Sequence, residues 1–305
     1  MKIIHDNSGE YQDVINSYYN LEQISGNSKE TVLFQGYTTS INEDLKKQYE
    51  HFKNRIYLNL ESPCAFTSTS SFVEEQKYFT HTYTICPYTL QWLKNIIGIK
   101  GQSIAFPYSK KCFENLNLEN KDVAGMYMGA ILSLDHEMIL NILSKRTYFA
   151  SSLLLYHPKL THYGLTSDEK WKLLARVKSN VIMNLCPLED KHKTSIMAYV
   201  DYDKNEAFKM LEYNAMPQFK PRVIESMVCK AVCLVRKDPW NVIEKWFTPN
   251  EDFLYWNSFE ELDFLLDEVD KNYEKYLPIV NSAAKKVENF EIKNIIKLIK
   301  DEINE

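Results

Sequence analysis

The segment "PRVIESMVCKAVCLV", Pro221 to Val235, places charged side chains at the start of a predicted helix that runs into an apolar strand. Arg222 and Glu225 lie three positions apart, and Lys220 stands just before them. Two opposite charges at this spacing can simply pair on a helix surface, which stabilises the helix only slightly. The free N–H groups and the dipole of a helix start also attract phosphate. Both a surface ion pair and an anion site are therefore open at this position.

Other candidate residues stand where predicted strands end. His157 ends "SLLLYH" and Asn184 ends "NVIMN". In open α/β sheets ligands bind outside the carboxyl ends of the strands, so both side chains are candidates for ligand contact. For each of them an ordinary loop role is the alternative.

Asp201 and Asp203, in "DYD", form a candidate metal site. Two carboxylates that are two positions apart can share one hard cation. The motif is short, and Asp203 precedes a helical segment, so a turn or helix-capping role is the favoured alternative. "HEM" at 136–138 is not a zinc-protease motif because position 140 is Leu, and no GxSxG, GxGxxG or P-loop motif is present.

Composition narrows the class of protein. The chain has 305 residues, a net charge of −5 and eight glycines. The acidic balance does not favour nucleic-acid binding. No apolar run approaches the ~20 residues that span a bilayer, and the N-terminus lacks a secretory pattern. The six cysteines form no CxxC pair, which predicts reduced thiols in a cytoplasmic protein and no zinc site.

Short apolar runs alternate with amphipathic segments, which predicts an α/β protein with parallel sheets. We expect an N-terminal domain over residues 1–120, a second α/β domain over 121–277 and a helical tail over 278–305. Predicted strands cover 31–37, 55–61, 79–86, 102–108, 122–130, 148–157, 179–185, 231–235 and 252–256. Predicted helices cover 42–53, 88–97, 135–145, 167–178, 203–213, 238–247 and most of the chain after Ser258.

The stretch from Phe219 to Val269 resembles the C-terminal half of GT-B glycosyltransferases, and especially their CgeB-like branch. In that group an Arg-x-x-Glu opens a helix, as in "PRVIES", and a short strand follows. A Phe-Leu-x-Trp-type strand and a Glu-Glu-Leu helix come next, as in "DFLYW" and "SFEELDFLL". The resemblance spans roughly Asp122 to Phe290 and is strongest from Pro221 to Leu266.

The resemblance implies roles for residues on the donor side. Glu225 would bind the ribose hydroxyls of a nucleotide-sugar, and Arg222 with Lys220 would face its diphosphate. Gly129 would end the first strand of the donor domain, where His157 and Asn184 also become donor-side candidates. Many relatives carry a second glutamate seven residues earlier, where this chain has Pro217.

The resemblance is weaker in the N-terminal half, where it covers only the layout. Relatives carry an acidic residue before Pro at a strand end, and Glu61 precedes Ser62-Pro63 in this way. A transferase that inverts stereochemistry needs a base to take the acceptor proton, so Glu61 is a candidate. His81, in "FTHTYT", is the second candidate. A charged loop cap is the alternative for Glu61, and a structural strand residue is the alternative for His81.

The sequence thus predicts two Rossmann-like domains of GT-B type that face a cleft, with a last helix that crosses back to the first domain. The implied activity is transfer of a hexosyl or pentosyl group from a UDP- or GDP-sugar to a glycan or small acceptor. Neither metal nor another cofactor is expected. The alternatives are a metal-dependent GT-A enzyme that uses Asp201 and Asp203, and a non-catalytic GT-B-like binding protein.

Overall fold

The computed structural model describes residues 2–5, 30–36, 43–60, 74–152, 156–188, 190, 193, 196 and 204–303. Their elements are parallel strands interspersed with helices through most of the chain, as predicted, with several helices in succession at the end. The strands are β1 (Lys2–His5), β2 (Thr31–Gly36), β3 (Asn54–Asn59), β4 (His81–Thr84), β5 (Val123–Met128), β6 (Tyr148–Ser152), β7 (His162–Tyr163), β8 (Val177–Ile182), β9 (Leu185–Pro187), β10 (Ala215–Pro217), β11 (Val232–Arg236) and β12 (Leu254–Trp256). The helices are α1 (Glu43–Tyr49), α2 (Pro87–Ile97), α3 (Leu134–Leu143), α4 (Ser167–Arg176), α5 (Lys204–Tyr213), α6 (Pro221–Val228), α7 (Phe259–Lys271), α8 (Leu277–Val287) and α9 (Ile292–Ile303).

The chain divides into two compact units that are each discontinuous in sequence. Unit 1 comprises Met1–Pro107, Leu185–Phe219 and Ile292–Glu305, and unit 2 comprises Tyr108–Asn184 and Lys220–Glu291. This division differs from the predicted boundaries at 120 and 277. Residues 108–121 join unit 2 because the Tyr108 amide bonds to the Phe290 carbonyl and Phe113 packs on Trp171.

Unit 1 contains a parallel sheet in the order β1-β2-β3-β4. Its apolar side chains are buried, among them Leu33 and Ile56, which face each other across β2 and β3. Helix α9 belongs to this unit and buries a stripe of isoleucines, while Glu302 accepts a 2.7 Å hydrogen bond from the Tyr83 hydroxyl. Strands β9 and β10 form a separate antiparallel pair.

The predicted strand at 102–108 is wrong. This segment runs beside β4 and makes only isolated bridges, such as Thr84 with Ser103. Gly101 precedes it with a φ of +119°, and a Cβ there would lie 2.0 Å from the Thr82 carbonyl oxygen. The chain therefore approaches β4 in a conformation that L residues rarely adopt, and this breaks the regular ladder.

Unit 2 contains a six-stranded sheet in the order β12-β11-β8-β5-β6-β7, and every pair in it is parallel. If the six strands of this sheet are renumbered 1 to 6 in chain order, starting with β5, their spatial order from the β7 edge is 3-2-1-4-5-6. This is the order of a doubly wound α/β sheet. All six residues of β5 are buried, as expected for a central parallel strand. Helices α3 and α7 join the main apolar cluster on this sheet, while α6 contacts α4 and α8.

A helix was predicted at 238–247, but the structure has only a short 3-10 helix over Val242–Lys245. The Asp238 carboxylate accepts 2.8 Å hydrogen bonds from the amides of Trp240 and Asn241, and Asn241 has a φ of +49°. This local turn competes with helix formation and delays it until after Asn241. Across the described ranges, no helix is both long and apolar enough to cross a membrane.

Candidate functional site

The candidate site lies at the carboxyl edge of the unit 2 sheet, between β5 and β8. These strands are neighbours, and the connections leave them toward opposite sides of the sheet. Open α/β folds form a ligand crevice at such a reversal. Gly129 follows β5 and Asn184 follows β8, so the fold brings these two predicted residues to one edge.

Gly129 and Arg222 are in direct contact. Gly129 has a φ of +154°, and a Cβ built on it would lie 2.5 Å from Nη1 and 2.9 Å from Nη2 of Arg222. Only a glycine allows the guanidinium to lie this close to the backbone. The arginine at the start of α6 is therefore placed over the end of β5.

Asn184 fixes the start of α6 to the end of β8. Its side chain is fully buried, and its Oδ1 accepts a hydrogen bond of 3.3 Å from the Lys220 amide. Its Nδ2 is buried without a hydrogen-bond partner among the described residues. Lys220 is the N-cap of α6, and its side chain does not cap the helix. The site therefore retains polar donors that point to a ligand or to water.

His136 joins this cluster, although its "HEM" context in the sequence indicated only that a zinc-protease motif is absent. It lies in the first turn of α3, and its Nδ1 is 2.8 Å from the Ser133 hydroxyl. Ser133 is the N-cap of α3 but makes no side-chain capping bond. Burial, followed by the charges of Arg222 and Lys220, lowers the pKa of His136 to about 4. Its position seven residues after Gly129, at the start of the next helix, was the only available sequence signal.

Glu225 turns away from Arg222 toward helix α4. Its side chain is 3% exposed, and its Oε1 pairs with the Lys170 ammonium and accepts a 3.1 Å hydrogen bond from the Trp171 indole. A ribose bound by Glu225 would have to share this carboxylate with both groups. The role of Glu225 as ribose ligand stays a prediction.

The remaining predicted residues lie in a loop of unit 2, in unit 1 or outside the described residues. His157 accepts a 3.2 Å hydrogen bond at Nδ1 from the Lys159 amide in its own loop. His81 is the first residue of β4, so it lies at the amino-terminal edge of the unit 1 sheet, and burial lowers its pKa. Glu61, Asp201 and Asp203 lie outside the described residues.

The cluster is suited to an anion rather than to a metal ion. Lys220 and Arg222 supply positive charge, and the starts of α3 and α6 supply backbone N–H groups without side-chain caps. Phosphate groups are held by this combination of helix starts, cations and close backbone approach at a glycine. Among the described side chains, no group of three His, Cys, Asp or Glu could hold a metal ion.

No family model matches this sequence, and no curated protein matches it significantly. Solved structures do match its fold. HepE of Anabaena, solved with UDP, aligns over 100% of both chains with 9% identity and a TM-score of 0.62. A glycosyltransferase of Rickettsia africae aligns over 98% of this chain and 88% of its own, with 13% identity and a TM-score of 0.57.

Sucrose-phosphate synthase of Thermosynechococcus elongatus aligns over 90% of this chain and 73% of its own, with 9% identity and a TM-score of 0.54. At these identities the likeness concerns the fold alone. The chain has the GT-B fold, with α/β units and a helical C-terminal region, which confirms the predicted fold class. Assignment to the CgeB-like branch is not confirmed.

Proposed function

We propose that this protein is a glycosyltransferase that moves a sugar from a nucleotide-diphospho-sugar to an acceptor hydroxyl. The observation that carries the proposal is the contact between the Arg222 guanidinium and Gly129 at the crevice edge of a GT-B donor-type sheet. The solved structures of HepE with UDP and with UDP-glucose add support. The GT-A alternative requires a different fold and is therefore not retained.

In this proposal Arg222 and Lys220 face the diphosphate and stabilise the negative charge that develops on it as the sugar leaves. Preformed cations and helix starts do this without reorganisation, so no metal is required of the site. Gly129 keeps the backbone open beside Arg222, and Asn184 holds the start of α6 in place. Glu225 is proposed to bind the ribose, while Lys170 and Trp171 orient its carboxylate.

The acceptor side is proposed from the sequence. Glu61 follows β3 by two residues in the chain and is our first candidate for the base that takes the acceptor proton. His81 is the second candidate, although it lies at the opposite edge from the carboxyl ends of the unit 1 strands. We further propose UDP or GDP as the nucleotide, a hexosyl or pentosyl group, a glycan or other small acceptor, a CgeB-like relationship and a cytoplasmic location.

A thermal-shift screen against UDP-, GDP-, dTDP- and CMP-sugars tests the proposal. A stabilising shift with one nucleotide is expected, since a ligand that binds only the native state raises the melting temperature. Release of the free nucleotide in the presence of candidate acceptors then tests transfer. Binding without turnover would indicate a non-catalytic GT-B-like binding protein. No shift with any of the four classes would contradict the proposal.

A further inference from the structure

His136 is a buried titratable group that the proposed chemistry does not use. It is 5% exposed and lies in the first turn of α3, the helix that follows β5 and Gly129 and therefore begins at the carboxyl edge of the sheet. Its Nδ1 faces the Ser133 hydroxyl. Across the part of the chain that the structure describes, its Nε2 makes no hydrogen bond. One ring nitrogen is therefore held in place, and in the tautomer whose Nδ1–H donates to Ser133 the Nε2 is the nitrogen that accepts a proton.

The charges around His136 come from several elements and are mostly positive. Lys220 and Arg222 face it from the start of α6, and Arg236 faces it from the end of β11. Asp135, on its own helix, is the opposing charge, and Arg236 pairs with it. Tyr127 of β5 packs against the imidazole at 5.7 Å between ring centroids, and burial raises the pKa of Tyr127, which keeps this phenol neutral.

These surroundings oppose a charge on His136 while the site holds no anion. Burial is the largest cause that lowers its pKa to about 4, and repulsion from Arg222 and Lys220 follows. A bound diphosphate would reverse the sign of the local field, because it brings two negative charges close to the same cations. An opposite charge within about 4–6 Å favours the protonated form of a histidine.

We propose that His136 takes up a proton when the nucleotide-sugar binds and becomes the third cation of the diphosphate site, after Lys220 and Arg222. This inference rests on the proposed function, since it needs a donor diphosphate at this edge. It makes donor binding depend on pH. Affinity rises as the pH falls from 8 to 5.5, because protonation of His136 is linked to binding.

Isothermal titration calorimetry tests the inference directly. UDP-glucose, or a GDP-sugar if the thermal screen selects guanine, is titrated at pH 6 in two buffers that differ in ionisation enthalpy, such as MES and bis-Tris. A nucleotide-sugar is the right probe because its diphosphate is esterified at both ends and keeps a constant charge. The two buffers should give different apparent enthalpies, corresponding to uptake of about 0.5–1 proton per ligand.

His136→Gln should still bind the donor but lose the proton uptake, and its affinity should no longer rise below pH 7. His51→Gln, which changes an exposed histidine of unit 1, should keep the uptake of the wild type. The wild-type comparison alone already reports proton uptake, so the test does not depend on the folding of the His136 variant.

The failures of the two proposals are distinguishable. Donor binding without proton uptake, or uptake that persists in His136→Gln, would overturn the role of His136 and leave the proposed function standing. Absence of donor binding in the wild-type protein would overturn both.

Discussion

At the scale of single residues, the sequence singled out several residues that the fold brings together, but it did not predict their contacts. Gly129, Asn184, Lys220 and Arg222 were all candidates, and the fold brings them to one edge. The i,i+3 spacing allowed Arg222 to pair with Glu225, but the two side chains diverge toward β5 and α4. The partners of Glu225 lie more than 50 positions away in the chain, so helical spacing could not reveal them.

Gly129→Ala should weaken nucleotide binding more than it weakens folding. The new Cβ would lie 2.5 Å from Nη1 of Arg222, and the flexible guanidinium would move away from the site. We expect at least a tenfold loss of nucleotide affinity and a loss of about 1 kcal/mol in the free energy of unfolding. Titration calorimetry and urea denaturation measure the two quantities.

Gly164→Ala is the matched control, since Gly164 also has a positive φ, +69°, but a Cβ there meets nothing within 4 Å. This variant should lose stability without losing affinity. Equal affinity losses in both variants would show that backbone strain, rather than displacement of Arg222, is responsible.

Lys170→Met should destabilise the fold because it removes an ammonium that pairs with the buried Glu225 carboxylate. We expect a loss on the order of 2–4 kcal/mol in the free energy of unfolding. Lys170→Met combined with Glu225→Gln should lose less than the sum of the two single changes, since the partners interact directly. Denaturant unfolding of the four proteins measures this coupling. Lys172→Met, at an exposed neighbouring position, serves as control, and additive losses would contradict the ion pair.

His136 should make the folded protein sensitive to acid when no ligand is bound. The pKa of His136 is about 4 in the folded chain, below its ordinary value of 6.5, so the unfolded chain binds the proton first as the pH falls. Stability is therefore lost between pH 6.5 and 4, by an amount on the order of 1–3 kcal/mol. In urea titrations over this range, His136→Gln should show a shallower decline than the wild type. Parallel curves would contradict the assignment.

At the scale of elements, the apolar periodicity predicted most strands and helices, while local backbone chemistry decided the exceptions. The apolar run at 102–108 resembles a strand, but the conformation of Gly101 prevents a regular ladder with β4. The segment at 238–247 has helical spacing, but the Asp238 turn intervenes. Hydrophobic patterns carry no information about such competing turns.

Helix α9 should be essential for the stability of unit 1. Ile299 is fully buried within the isoleucine stripe of this helix. Glu302 on the same helix accepts a hydrogen bond from the Tyr83 hydroxyl. Ile299→Ala should cost about 2–4 kcal/mol in the free energy of unfolding, through lost burial and a new cavity. Denaturant unfolding measures the loss, and Lys297→Ala, at an exposed position of α9, should cost little. Similar small losses for both would show that α9 does not contribute to the core.

At the scale of the whole molecule, the α/β class followed from sequence, but the course of the chain through its two units did not. Leu185–Phe219 and Ile292–Glu305 join unit 1 although they follow unit 2 segments in the chain. The alternation of apolar strands and amphipathic helices looks the same in both units. It indicates that an element packs on a sheet, but it does not indicate which of the two sheets. In the doubly wound order of unit 2, β5 and β8 are the neighbouring strands at which the direction of the connections reverses. Gly129 and Asn184 follow these two strands, so both lie where such folds form a ligand crevice.

The most direct test of the central claim is the affinity of UDP and GDP for three proteins, measured by titration calorimetry. Arg176→Ala is the matched control for Arg222→Ala, because Arg176 is an exposed arginine that immediately precedes β8, at the opposite edge of the same sheet. The wild type and Arg176→Ala should bind one of the nucleotides equally well. Arg222→Ala should bind it about 30-fold more weakly, as expected for loss of roughly 2 kcal/mol from a charged hydrogen bond. Equal affinities for all three proteins, or no binding by the wild type, would contradict the account.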